Sequence, residues 1–85
     1  MFVKICGITS VEDATAAVAA GADLLGLNFH PPSPRSVSVA TAASIARTLP
    51  SHVVRVGVFV NAHEREVERA IDTVGLDVVQ VHGDE

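Results

Sequence analysis

Two groups of residues in this chain have the types and spacing for chemistry. Lys4 and Cys6 stand two apart, so on an extended strand they share one face, and Gly7 follows at once. A free thiol with a pKa near ~8.5 is already partly thiolate at neutral pH, and a nearby cation raises that fraction. Cys6 therefore has the chemistry of a base, with Lys4 as a source of field, although lone cysteines are more often small buried hydrophobes. Arg35 closes the run Pro31-Pro32-Ser33-Pro34-Arg35, whose prolines limit its freedom. A stiffly held guanidinium fork fits a planar carboxylate. Asn28, Gln80 and His82 are polar residues at the ends of apolar strand patterns, where they could equally line a ligand or serve as hydrogen-bonded structural groups.

The rest of the composition narrows the field. A formal net charge of −4 offers no broad basic surface, so nucleic acid and anionic membrane are poor partners. The single cysteine excludes an internal disulfide, and Met1-Phe2-Val3-Lys4 runs straight into a strand pattern without the regions of a signal peptide. A cytosolic setting is expected, and no apolar run is long enough to span a membrane. His30, His52 and His63 share no ligand spacing with Cys6, so no metal site is predicted, and no cofactor.

These residues need elements to position them. Apolar periodicity switches repeatedly between 2 and 3.6, the mark of alternating strands and helices. Strands are predicted over residues 2–6, 23–29, 53–60 and 77–82, each short and rich in Val, Ile or Leu. Ser10 followed by Asp13 resembles a capping box for a first helix that Gly21 stops. Ser38 caps a second, with Val39, Ala42, Ala46 and Leu49 on one face before Pro50. Asn61 with Glu64 opens a third, with Val67, Ala70, Ile71 and Val74 as its buried stripe and Gly75 beyond. Strand-helix-strand units at this spacing indicate parallel strands.

Strand parity chooses between an open sheet and a barrel. Lys4 and Cys6 oppose Val3 and Ile5; Gly26 and Asn28 oppose Leu25, Leu27 and Phe29; Arg55 and Gly57 oppose Val54, Val56, Val58 and Val60; Gln80 and His82 oppose Val79 and Val81. Each strand thus reads as one aliphatic and one mixed face. An open doubly wound sheet would be aliphatic on both. A barrel puts the aliphatic face against helices and the mixed face inside, with active groups at the C-terminal strand ends. Lys4 and Arg55 are equally explained as interior polar residues that satisfy one another.

The opening Val3-Lys4-Ile5-Cys6-Gly7-Ile8-Thr9 resembles the start of the phosphoribosylanthranilate isomerases. So do Gly21-Ala22-Asp23, Pro31-Pro32-Ser33-Pro34-Arg35, Val56-Gly57-Val58-Phe59-Val60-Asn61 and Val78-Val79-Gln80-Val81-His82-Gly83-Asp84-Glu85, in the family's order. The resemblance implies an α/β fold of parallel strands, with residues 1–85 as the N-terminal part of one (β/α)8 TIM barrel domain, truncated after its fourth strand. It implies an isomerase of tryptophan biosynthesis. The reaction is an Amadori rearrangement of N-(5-phosphoribosyl)anthranilate, in which an acid opens the ribose ring and a base removes the C2 proton.

By the same resemblance Cys6 is the general base and Arg35 binds the anthranilate carboxylate. His82, Gln80 and Asn28 would line the substrate, with Lys4 and Gly7 in support. The family's acid, a later-strand aspartate, and its late phosphate loops have no counterpart in the sequence, and Asp84 and Glu85 match a loop of the family and not its acid. The chain alone is expected to be inactive. Two other readings compete: a non-catalytic half-barrel that self-associates to give eight strands and hide its open edges, and a phosphate-handling barrel of different chemistry.

Overall fold

The computed structural model describes residues 2–83; Met1, and the Asp84 and Glu85 of the last resembling segment, lie outside them. The elements alternate as the periodicity predicts: β1 (Lys4–Cys6), α1 (Val11–Ala19), β2 (Leu24–Asn28), α2 (Val39–Arg47), β3 (Val54–Val60), α3 (Glu64–Ala70) and β4 (Val78–His82). The strands form one parallel sheet in the order β1-β2-β3-β4.

Local hydrogen bonding sets the helix ends. Ser10 Oγ accepts the Asp13 N–H at 3.1 Å, which caps α1. The Asp13 carboxylate takes the Thr9 hydroxyl at 3.5 Å. At the other end Gly21 adopts φ +96°, and the N–H groups of Gly21 and Ala22 return to the Val18 and Ala17 carbonyls, each at 3.0 Å. Those two bonds satisfy carbonyls the helix would otherwise leave open. Ser38 caps α2 in the same way through the Thr41 N–H at 3.1 Å.

The third helix departs from expectation. Asn61 does not cap it: its φ is +50°, and its N–H bonds to the His82 carbonyl at 2.8 Å, extending the β3–β4 ladder by one residue. Asparagine tolerates that left-handed turn, and the cap falls at His63, without a side-chain bond. After Ala70 the helix widens into a π turn over Ile71–Gly75. The wider turn shifts the phase of the side chains, so Val74 is buried while Ile71 is 36% exposed.

The strand register decides which face meets the helices. Ile5, Leu25, Leu27, Phe29, Phe59 and Val79 belong to or pack against one core cluster with Ala14, Ala42, Ile45, Ala46 and Val74 of the helices. Residues of the opposite parity are absent from that cluster, even the buried Val56. All helices therefore cover one face. Leu25 is paired with Arg55, and Leu27 with Gly57, so Arg55 and Gly57 lie on the helix side and the β3 valines line the other.

This corrects the sequence reading of β3, whose mixed face looks outward. The guanidinium of the half-buried Arg55 bonds to the carbonyls of Ala46 (2.9 Å), Val53 (3.1 Å) and Leu49 (3.3 Å), which pins it among carbonyls at the end of α2. Leu76 fills the space above Gly57. A long cation and a bare glycine serve the packed face here, a role that alternation of polarity cannot distinguish from an interior one.

One device recurs at the strand starts. Asp23 Oδ2 accepts the Val3 N–H at 2.9 Å while its own N–H bonds to the Val3 carbonyl at 2.8 Å. Asp77 does the same to Arg55, at 2.9 Å in both directions. Each aspartate closes the first rung between an odd strand and the even strand that follows.

Candidate active site

The face away from the helices carries most of the residues singled out in the sequence. From β1 it presents Lys4 and Cys6, from β2 Gly26 and Asn28, from β3 valines, and from β4 Gln80 and His82. Cys6 is exposed, and its thiol rests on Gly26 of the neighbouring strand: a Cβ at Gly26 would stand 2.9 Å from Sγ and 3.2 Å from the Cys6 Cα. A glycine inside a strand often marks such a close approach.

Immediately beyond Cys6 the chain turns. Gly7 takes φ +80°, and its N–H and that of Ile8 both bond to the Gly26 carbonyl, at 3.1 and 3.3 Å. The side chain of Arg35 lies over this glycine, so that a Cβ there would be 2.7 Å from Arg35 Cδ and 3.0 Å from Nη1. The two residues read from the sequence as base and carboxylate binder are thus brought to the same strand end, separated by one glycine.

Arg35 reaches this place from a loop that folds on itself. Ser33 and Ser36 N–H groups bond to the His30 and Ser33 carbonyls at 3.0 and 3.1 Å, and the Arg35 N–H bonds to Ser33 Oγ at 3.2 Å. Asn28 anchors both ends of it: Oδ1 accepts the His30 N–H at 2.7 Å, and the Asn28 carbonyl accepts the Val37 N–H at 2.8 Å. Its place is under the Arg35 loop.

Gln80 is engaged elsewhere on the same face, where its Oε1 accepts from Lys4 Nζ at 2.7 Å. Lys4 therefore directs its ammonium across the sheet to β4. His82 stands exposed at the end of β4, next to Gly83. Among the described residues no group of three or more His, Cys, Asp or Glu side chains is placed to hold a metal ion, and no helix is long and apolar enough to cross a membrane.

The sequence profile of the N-(5'phosphoribosyl)anthranilate (PRA) isomerase family matches residues 3–85, nearly the whole chain. The chain belongs to this family. Phosphoribosylanthranilate isomerases of Acinetobacter calcoaceticus and Pseudomonas aeruginosa strain LESB58 are 54% identical over 82 residues and 55% identical over 83. Those matches cover 96% and 98% of the chain but 38% and 39% of the relatives, so it spans about two fifths of their length.

Solved structures agree. The Thermotoga maritima phosphoribosylanthranilate isomerase overlays with a TM-score of 0.94 at 46% identity, covering 100% of this chain and 42% of that one. A phosphoribosylanthranilate isomerase in complex with reduced 1-(o-carboxyphenylamino)-1-deoxyribulose 5-phosphate gives the same TM-score and identity, with 44% of its chain covered. The fold is thus a partial (β/α)8 barrel of an isomerase family, and the face bearing Cys6 is the barrel's interior.

Two features escape a reading of the sequence. Gly26 as the seat of the thiol was signalled only by a glycine within an apolar strand. A cavity of about 280 Å³ lies among Phe29, Pro31, Val37, Val39, Phe59 and the α3 side chains Glu66 and Arg69. It contains the stacked rings of Phe29 and Phe59, 4.9 Å apart at 11°. Its phenylalanines point to the helix side, so it is separate from the face that carries Cys6.

Proposed function

We propose that this chain supplies the base and the carboxylate-binding arginine of a phosphoribosylanthranilate isomerase, as the N-terminal part of one barrel domain. The observation that carries the reading is the adjacency of Cys6 and Arg35 at the end of β1, made possible by Gly7 and Gly26. The substrate is N-(5-phosphoribosyl)anthranilate, a planar aryl carboxylate joined to a phosphorylated sugar. Arg35 holds the carboxylate; the Cys6 thiolate takes the C2 proton once the ribose ring has opened, giving an enol that becomes the ketone. His82 and Asn28 line the sugar side, and Gln80 acts with Lys4 below them. The setting is cytosolic.

Ring opening needs an acid, and the phosphate needs a grip. Among the described residues no carboxylate joins Cys6 on the inner face, so residues 2–83 hold one half of an acid-base pair. The chain alone is therefore inactive in this reading, since one missing acid costs about 10²- to 10⁴-fold in rate.

The test is a fusion. Residues 1–85 replace the matching part of the Pseudomonas aeruginosa relative, and turnover of N-(5-phosphoribosyl)anthranilate is measured with and without Cys6→Ala. Turnover that depends on Cys6 supports the reading; a folded fusion whose turnover is unchanged by Cys6→Ala sinks it.

A second reading concerns assembly. Phe2 is 84% exposed, Val81 62% and Val78 43%, and among the described residues β1 and β4 each have one edge with no strand beside it. Such edges pair with further strands, and association with another βα unit, a second copy included, is the outcome to measure by sedimentation.

A further inference from the structure

The cavity beside the stacked phenylalanines has no part in the chemistry of the inner face. Phe59, buried, and Phe29, half-buried, give it apolar walls, and Val37 and Val39 close it at the start of α2. Three polar side chains border it: Ser38, Glu66 and Arg69. Ser38 is already engaged, since its Oγ accepts the Thr41 N–H and donates to the Thr41 hydroxyl oxygen, both at 3.1 Å. The other two are not. Among the described residues neither the Glu66 carboxylate nor the Arg69 guanidinium takes part in a hydrogen bond or ion pair, and both are exposed at the rim.

These features select an occupant. A volume of about 280 Å³ lies just below the roughly 300–1,000 Å³ of ordinary ligand pockets, so the guest is small. Apolar walls suit an apolar body, and a ring set edge-on or offset against Phe29 and Phe59 gains more than the area it buries. Glu66 and Arg69 stand three residues apart on α3, neighbours on its surface with about 5–6 Å between Cβ atoms. One negative and one positive group at that separation complement a zwitterion. A carboxylate alone would meet Arg69 but be opposed by Glu66, and an amine alone would meet the reverse.

We propose that this cavity binds a free α-amino acid with an aromatic side chain. Its ring lies among the phenylalanines and valines, its carboxylate takes the Arg69 fork and its ammonium faces Glu66. The site is on the helix side of the sheet, so it does not depend on the role assigned to Cys6.

The probe is L-phenylalanine, titrated into the isotope-labelled chain and followed by amide chemical shifts, with far-UV circular dichroism to verify folding. Saturable shifts are expected at the Val37, Val39 and Phe59 amides, with a Kd on the order of 1 mM or tighter for a ligand of so few atoms. Hydrocinnamate, which lacks the ammonium, and phenethylamine, which lacks the carboxylate, should each bind about tenfold more weakly. L-Alanine, without the ring, should cause no saturable shift. Arg69→Gln and Glu66→Gln, both at exposed positions, should each weaken L-phenylalanine by about the same tenfold factor while leaving the circular dichroism spectrum unchanged. Shifts confined to Gly7 and Gly26 would put the carboxylate on Arg35 instead and overturn the proposal. Cavity shifts that neither substitution weakens, or no saturation in the millimolar range, overturn it as well. If the isolated chain does not hold its fold, the same titration on the fusion with the Pseudomonas aeruginosa relative decides.

Discussion

Lys4 Nζ and Gln80 Oε1 meet at 2.7 Å although their strands, β1 and β4, are separated by two others. Three interstrand spacings in a flat sheet amount to roughly 14 Å, with side chains standing perpendicular to it. A lysine and a glutamine rising in parallel at that separation could not touch. The contact is therefore a direct report of curvature, and it places the exposed Lys4 on the concave side of the sheet.

Arg55 and Lys4, alike in the sequence, should behave oppositely on removal. Arg55→Met removes the guanidinium from three carbonyls at the end of α2 and the start of β3, of which that of Ala46 still accepts the Leu49 N–H at 3.2 Å. It should cost about 1–3 kcal/mol in urea unfolding, towards the lower end because the group is only half-buried. Lys4→Met, at an exposed position, should stay within about 0.5 kcal/mol.

Gly26→Ala should move the thiol. Its Cβ would lie 2.9 Å from Cys6 Sγ and 3.3 Å from Cys6 Cβ, so the side chain must rotate or the strands must part. An overpacking cost of about 1–3 kcal/mol is expected. Because Cys6 is the only cysteine, its alkylation rate by iodoacetamide reads the thiol's surroundings directly, and an unchanged rate would count against the contact.

Gly7→Ala should disturb Arg35 more than it disturbs the sheet. The new methyl group meets Arg35 Cδ at 2.7 Å, and φ +80° is a left-handed conformation that costs an alanine about 1–2 kcal/mol. In the fused barrel the expected signature is a raised KM with a smaller change in kcat, since the arginine is assigned to binding. A lowered kcat at constant KM would instead point to Cys6 as the group displaced.

Cys6→Ala in the same fusion should lower kcat by about 10²- to 10⁴-fold, the range for loss of a general base, and leave the circular dichroism spectrum unchanged. Steady-state kinetics and the spectrum together check it.

Much of this protein is local and was legible in order. Ser10 and Ser38 cap their helices within three residues, Gly21 stops α1 through bonds that reach back no more than five, and alternating periodicity delimits four strands. Such features depend on neighbours along the chain, so residue type and spacing carry them. The cap of α3 was misplaced because Asn61 answers to His82, on another strand, and Ile71 was misassigned because a π turn breaks the helical period.

What the sequence determined by itself is the set of elements, their parallel arrangement and the identity of the polar groups at the strand ends. Which way β3 faces was decided only in three dimensions, by a register that pairs Leu25 with Arg55 and by α2 carbonyls close enough to receive the guanidinium. The seating of Cys6 on Gly26, of Arg35 on Gly7 and of Lys4 on Gln80 likewise joins residues 20 to 76 positions apart. Periodicity says that two residues share a face; only packing of one strand or loop against another says what that face meets.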